Sequence, residues 1–376
     1  MINNDCVMSQ IKGETLFLFT FSIYLFYVVM NTTIWEMPPL FAYFLRVLTV
    51  ILIVIRLFWI INTYTLKELL LFCTCLLILF ITAYSCGYST FIIPFVFIVT
   101  AKNIKFKKIV RIYFLIELTI LLITVFASSV GILENVAHYR GLDDIPRYSF
   151  GYVYPTDFAS HIFYLLLAWY YLREGKLALK DYILYLGMSY FIFHNCHARL
   201  DSICVLLIIF TSFFYWKIKK RTTLNKLTSF VLTYSVSFAA LIMLGVTYAY
   251  SNPTLFLVAL DYILTGRISL GYRALSEDGM KIFGQHYVQK GSGTGDEYNF
   301  IDSSFLLIPI IYGISFFVIM LFVLIHICKK SLDKKNYFFP LIIILVAIHS
   351  MVSHHLIEFA YNPFFLGAFS CVKHNK

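Results

Sequence analysis

The stretch PLFAYFLRVLTVILIVIRLFWII, residues 39–61, decides the fold. It is long enough to cross hydrocarbon, which takes about 20 mostly apolar residues. Its only charges are Arg46 and Arg56. Similar runs recur along the whole chain. The 376 residues are 13% charged and 60% hydrophobic, against roughly 25% and 45–50% in a soluble globular protein. With mean hydropathy +0.80, 38 Phe and 28 Tyr, the chain has more apolar surface than one aqueous core could bury. A soluble domain is excluded, and the expected class is an all-α, polytopic integral membrane protein.

About twelve spans are expected, near 15–33, 39–61, 69–86, 88–101, 109–133, 158–172, 182–194, 202–216, 228–249, 303–327, 338–356 and 363–372. The net charge of +10 and pI near 9.0 would suit nucleic acid, yet the positive residues lie in short connections between apolar runs. Placing the amino terminus inside the cell puts twenty-one Lys and Arg in cytoplasmic stretches and seven outside, with Arg46 and Arg56 inside a span. That asymmetry is a topology signal. Nucleic acid is therefore not an expected partner, whereas membrane lipid is. The whole chain, 1–376, reads as one transmembrane domain with larger outside loops at 134–157 and 250–302. The run Leu16 to Met30 is too long for a signal-peptide core and is expected to be retained. No internal repeat or low-complexity tract is found.

Charge inside a span is costly and marks candidate function. Arg46 and Arg56 sit near opposite ends of their helix, where snorkelling suffices. Glu117 lies two turns inside the fifth span and is expected to pair with one of those arginines, a proton relay being the alternative. The eight cysteines lack zinc-site spacing; a Cys86–Cys196 disulfide is the one bridge that loop placement would allow.

The outside loops are arginine-rich: Arg140, Arg147, Arg199, Arg267 and Arg273 against Lys281 and Lys290. A guanidinium offers two parallel donors to an anionic oxygen pair and keeps its proton, which suits a diphosphate. Three stretches concentrate this chemistry: PRYSFGYVYPTDFASH at 146–161, HNCHARLDS at 194–202, and the run from TGRISLGYRALSEDG at 265–279 through FGQHYVQKGSGTGDEYNF to IDSSFLLIPIIYG at 301–313. His194 and His197 have no evident further ligands, so local hydrogen bonding is favoured over a metal. His349, His354 and His355 give no better metal pattern, since 349 and 354 share a helical face poorly. GSGTG at 291–295 lacks the following Lys-Ser/Thr of a phosphate-binding loop. No serine nucleophile elbow or His-Glu-x-x-His occurs. No metal or cofactor is expected.

Taken together, these features resemble the bacterial Wzy-type polysaccharide-repeat polymerases, which share an architecture with O-antigen ligases. RYSFGYVYPTDF is similar to the family's Arg followed by Gly-Phe-x-His-Pro-Asn, HARLDS to its short Ser-Arg loop, and TGRISLGYRAL with FG and DSSFLLIPIIYGI to its last large loop. Tyr154 and Thr156 stand where His and Asn are usual, Ala198 replaces the Ser before Arg199, and Gln285 and His286 follow Gly284 where a second Gly is common.

The resemblance implies a GT-C-like membrane glycosyltransferase architecture in the bacterial cytoplasmic (inner) membrane. It implies transfer of a glycan from undecaprenyl diphosphate to a new lipid-linked repeat unit, making a surface polysaccharide such as O-antigen, capsule or exopolysaccharide. Undecaprenyl diphosphate-linked glycans are the implied substrates, with a chain-length regulator and a flippase as protein partners. Arg199 and Arg267 are then the main diphosphate-binding candidates, with Arg273 and Arg147 next. Asp302 matches the position of a ligase His and becomes the candidate base, although a helix N-cap explains an Asp there as well. Two alternatives stay open. An O-antigen or wall-polymer ligase would use the same donor. A lipid-linked oligosaccharide flippase or transporter should show paired, Gly- or Pro-broken helices or repeat symmetry between its halves, and the sequence displays neither.

Overall fold

The structure, a computed structural model, describes residues 4–140, 143–218, 224–291 and 298–372. Part of the GSGTG stretch, 292–295, thus lies outside the described residues. The chain is a multi-pass, all-α membrane protein. Among the described residues, seven helices are long and apolar enough to span: α1 (Asn4–Met30), α2 (Pro39–Ile60), α3 (Leu66–Cys86), α5 (Phe106–Ser129), α8 (Arg199–Ile218), α9 (Lys226–Ala249) and α12 (Ser304–Asp333). An eighth arises if α10 (Leu255–Ile263) and α11 (Arg267–Glu277), bent by 109°, count as one span.

The expected dozen is therefore corrected to seven or eight. The 88–101 run yields only α4 (Ile92–Thr100), nine helical residues, or about 14 Å at 1.5 Å per residue. Residues 363–372 hold one short turn, Phe364–Ala368, and α13 (Phe338–Val352) is 15 residues long. The other two shortfalls, α6 (Pro155–Leu172) and α7 (Leu179–Cys196), have 18 residues each but are too polar to qualify. Burial explains α6. Fourteen of its 18 residues are buried, so it faces protein and can carry Asp157, Ser160 and His161 without meeting lipid. Helix α2 is the opposite case. Leu45, Thr49, Ile53, Arg56 and Ile60 form its one buried stripe, while Phe44, Ile51, Ile55 and Phe58 are exposed. Lipid replaces water on that outer face, so the polar half of an aqueous amphipathic helix is missing.

The chain forms two compact units, Met1–Phe72 with Ile93–Leu206 and Phe359–Lys376, and Cys73–Ile92 with Leu207–Glu358. In the first, α5 packs on α1 and α6, and α6 on α7. Contacts sort its connections into two ends. At one end, Lys102 Nζ donates to Thr63 O at 2.7 Å, Lys107 pairs with Glu174 at 2.6 Å, Lys108 with Glu14 at 2.7 Å, and Cys371 N donates to Ile104 O at 2.7 Å. Arg56 belongs here, but it is buried: its guanidinium donates to Thr100 O and Lys102 O at 3.4 and 3.2 Å, so backbone carbonyls take the place that snorkelling would give to water. At the other end, Thr33 bridges to Tyr152, and Ile34 N donates to Gly151 O at 3.0 Å. A hairpin of β1 (Ala137–Arg140) and β2 (Asp143–Tyr148), with His138 opposite Arg147, lies there as well. Helices α6 and α7 run between these ends even though neither qualifies as a span by composition.

In the second unit, α9 packs against α12 and α13. Helix α12 is broken: residues Ile308–Tyr312 form a π-turn containing Pro309, and Gly313 follows at φ 90°. Its displaced backbone groups find partners on the 281–285 segment. Gln285 donates from N to Ile311 O and from Nε2 to Ile310 O, each at 3.0 Å, while Ile314 N and Ser315 N donate to Lys281 O and Ile282 O, each at 3.0 Å. Broken backbone in a membrane protein needs such substitutes. The sequence displays no pair of Gly- or Pro-broken helices, and α12 is a single helix broken at Pro309 and Gly313.

Candidate functional site

The five residues singled out above fall in two places. Arg147 and Arg199 are in the first unit; Arg267, Arg273 and Asp302 are in the second.

In the first unit, Arg147 stands on β2 and donates from Nε to Cys196 O at 3.0 Å, tying the hairpin to the end of α7. Arg199 opens α8 and is exposed. Between them His197 takes a left-handed conformation, φ 48°, that ends α7. Burial lowers the His197 pKa, and the positive fields of Arg147, His194 and Arg199 lower it further. His138 across the hairpin is lowered likewise, by burial first and by Arg147 as well. Arg147 and Arg199 thus give this end of the unit a positive field suited to an anion, while the two lowered histidines are held toward their neutral form. The buried Asp201 carboxylate accepts from Ser160 Oγ at 3.0 Å. His194 stacks on Tyr190, ring centres 5.7 Å apart. Cys86 and Cys196 are both free thiols, so the suggested disulfide is absent.

The same unit holds an apolar crevice of about 500 Å³, lined by Phe26, Met30, Trp35, Leu115 and Ile123. Trp35 closes on α5 by donating from Nε1 to Thr124 Oγ1 at 3.1 Å. Glu117 pairs with neither Arg46 nor Arg56; its partner is His161, 2.6 Å away and equally buried. Arg46 instead sits over the Tyr27 ring, 5.8 Å from its centre.

In the second unit, Asp261 fixes the start of α11, its Oδ1 accepting from Ile268 N at 2.8 Å and Ser269 N at 3.1 Å. That carboxylate also suits the positive helix end. One turn along, Gly271 lets α11 approach α12, since a Cβ there would press on Leu306 Cδ1 and lie 3.6 Å from Thr247 Cγ2. Arg267 is thereby held in a buried position. It donates from Nε to Val352 O at 2.6 Å and from Nη1 to Leu264 O at 3.1 Å and to Thr265 Oγ1. Asp302 Oδ2 lies 3.9 Å from its Nε. The bidentate fork expected of Arg267 is thus largely spent inside the protein, and Nη2 is the nitrogen left to bind an anion. Arg273 donates from Nη2 to Tyr298 O.

Asp302 is not an N-cap, because Ser303 occupies that position at the head of α12. Its carboxylate instead faces a cluster that the sequence reading set aside. His354 feels the charges of Asp302 and Arg267, lies 3.5 Å from Glu358 Oε1, and has its ring centre 4.0 Å from that of His355. His355 Nδ1 is 2.9 Å from Glu358 Oε2. Burial above all, and then His355, push the His354 pKa down to about 4, against the opposing pull of Glu358 and Asp302. His354 is therefore neutral near pH 7 and only weakly basic. The signal missed was SHHLIE at 353–358, in which Glu358 meets His354 and His355 at spacings of four and three.

No protein-family model matches the chain, and neither a curated protein nor a solved structure matches it.

Proposed function

We propose that this protein is a membrane glycosyltransferase that polymerises lipid-linked oligosaccharide repeats into a surface polysaccharide, using an undecaprenyl diphosphate-linked donor. The observation that carries the reading is Arg267 held 3.9 Å from Asp302, with a neutral-tending His354 beside both. Transfer needs positive charge on the departing diphosphate and a base for the incoming hydroxyl. In this scheme the acceptor oxygen bonds to the anomeric carbon as the bond to diphosphate breaks. The diphosphate leaves with the electron pair and the hydroxyl proton passes to Asp302. Arg267 contributes Nη2 to the diphosphate, Arg273 adds positive charge on the same helix, and Arg147 and Arg199 are further anion-binding candidates. The crevice of about 500 Å³ beside Trp35 would accept part of a polyisoprenyl tail.

The membrane proposed is the bacterial cytoplasmic one, with the outer face expected from the lysine and arginine asymmetry of the sequence; the first unit is oriented by its own charges. Support comes from charge: the first-unit end that gathers Lys102, Lys107 and Lys108 is the basic one and would be cytoplasmic, together with the amino terminus. The end that bears the hairpin and Arg147 would then face outward. A chain-length regulator and a flippase would be its partners.

A second reading, a lipid-linked oligosaccharide flippase or transporter, is favoured by the π-turn in α12 and the 109° bend between α10 and α11, since broken helices often build transport sites. A ligase would share the donor chemistry. Gene deletion followed by gel analysis of the surface polysaccharide separates the three. Polymerase loss leaves single repeats attached, ligase loss leaves polymer unattached, and flippase loss leaves no surface glycan. Either of the last two results would end the polymerase proposal.

A further inference from the structure

The proposed glycosyl transfer makes no use of a fully buried carboxyl and imidazole in the first unit, Glu117 and His161. Glu117 is twelfth in the 24-residue α5, so it sits near mid-span, about 17 Å from the helix start at 1.5 Å per residue. His161 is in the second turn of α6. Both side chains have no exposed surface, and Nδ1 of His161 lies 2.6 Å from Glu117 Oε1. On the other side of the ring, Nε2 lies 2.8 Å from Thr32 Oγ1. Thr32 follows the end of α1 and is only half-buried, so the three groups form a line from the hairpin end of the unit toward its middle.

Hydrogen-bond bookkeeping gives the protonation state. The Thr32 hydroxyl donates to Val29 O at 2.7 Å, so its contact with His161 requires a hydrogen on Nε2. A nitrogen and a carboxylate oxygen 2.6 Å apart need a second hydrogen between them, since two lone pairs would repel. The pair then carries two protons and is neutral overall, as burial away from water demands. The Nδ1–Oε1 contact is out of line for a straight hydrogen bond, and Glu117 Oε2 has no hydrogen-bond partner among the described residues. A purely structural strut would satisfy both oxygens. Titratable groups facing the pair are phenols: Tyr113 from α5, Tyr152 before α6, Tyr164 within it, and Tyr361, whose ring centre is 4.1 Å from that of His161.

We propose that Thr32, His161 and Glu117 form a proton relay, with Glu117 as its terminal proton-binding group. Intramembrane chains of this composition are a recurrent proton path. On discharge, the Nε2 hydrogen of His161 passes to the Thr32 oxygen while Thr32 gives its own hydroxyl hydrogen to the aqueous phase. The rotated hydroxyl can then donate back to the bare Nε2. The pair is left with one proton fewer and a net charge of −1, and recharging reverses each step. The relay is independent of the glycosyl-transfer reading.

The test uses the full chain in lipid nanodiscs, with infrared difference spectra between acidic and alkaline buffer and pH-jump kinetics read by a proton-sensitive dye. Relative to Glu117→Gln, wild type should release one further proton per chain, with a carboxyl band that shifts in deuterium oxide. Glu117→Gln should remove both signals, and His161→Gln should remove the fast proton release. Thr32→Val leaves the buried pair in place and should slow release about tenfold, the rate equivalent of losing one hydrogen bond. Should Glu117→Gln accumulate too poorly to measure, wild type against Thr32→Val decides alone. No titrating carboxyl in wild type, release unchanged in Glu117→Gln, or a wild-type rate in Thr32→Val would each overturn the relay.

Discussion

Arg267 and Arg199 carry the same charge in the same proposed role, yet the structure gives them very different stability costs. Truncating Arg267 to Ala removes the donors to Val352 O at 2.6 Å and Leu264 O at 3.1 Å. Hydrogen bonds from a charged group contribute about 1.5–3 kcal/mol each. Both are part-buried here, so the lower half of that range applies, or about 3–4 kcal/mol together. Asp302, 3.9 Å away with 22% of its side chain exposed, adds no more than about 1 kcal/mol after solvent screening. A total near 4 kcal/mol lowers the melting temperature by about 8–16 °C for a unit of this size. Arg267→Lys can satisfy one of the two carbonyls and should fall about halfway. Arg199 is exposed and makes no hydrogen bond or ion pair among the described residues, so Arg199→Ala should stay within about 0.5 kcal/mol of wild type. Thermal unfolding of each purified variant in one lipid environment provides the measurement. A melting temperature for Arg267→Ala within experimental error of wild type, or one for Arg199→Ala as low as that of Arg267→Ala, refutes this assignment of structural and free arginine.

Stability should also depend on pH through His354. Its folded value of about 4 lies below the ordinary 6.5, so the unfolded chain takes up the proton first. The contribution is complete above about pH 6.5 and disappears as pH falls toward 4, at most about 3 kcal/mol; His354→Gln should flatten the melting-temperature profile across that window. Gly284→Ala should cost at least about 2 kcal/mol, because φ is +81° and the new Cβ would lie 2.8 Å from the Tyr312 carbonyl carbon; near wild-type melting would show that the loop on the α12 break can yield. Reporter fusions at 102–108 and at the 173–176 turn should report one side of the membrane and fusions at 134–136 the other, as the two ends of the first unit require. Opposite reports from 102–108 and 173–176 would undo that division.

Length and hydropathy made the membrane class and seven of the spans legible, because lipid-facing helices such as α2 must be apolar nearly all round. They failed where protein replaces lipid. Helix α6 is buried on almost every side and so admits Asp157, Ser160 and His161, which lowers its hydropathy without shortening it. In α4 only nine residues of the apolar run are helical, and a run of apolar residues does not reveal that. The break in α12 was hidden for a related reason: Pro309 and Gly313 are visible in the sequence, but their effect depends on Gln285 and on Lys281 and Ile282 supplying the missing partners. Lysine placement, in contrast, was informative, since Lys102, Lys107 and Lys108 meet Thr63, Glu174 and Glu14 at one end of the unit.

The candidate site was legible as residue types and illegible as geometry. An arginine in a loop advertises a fork for diphosphate, yet how many of its donors remain depends on carbonyls brought in from distant segments. Val352 is eighty-five residues from Arg267 and takes its Nε hydrogen. Arg267 is therefore a structural tie first and an anion ligand only through what is left, whereas Arg199, with no hydrogen bond or ion pair among the described residues, keeps its whole fork. The histidines show the converse. Judged as a helical face from His349, His354 looked misplaced, but α13 ends at Val352 and the following turn sets its own spacing. Glu358 then reaches both rings, and Asp302 acquires a neighbour whose low proton affinity keeps it neutral. If each arginine contributes to anion binding, their variants should separate. Arg199→Ala should lose activity with its fold intact, while Arg267→Lys should lose part of each, because only the second residue holds the protein and the substrate with one guanidinium.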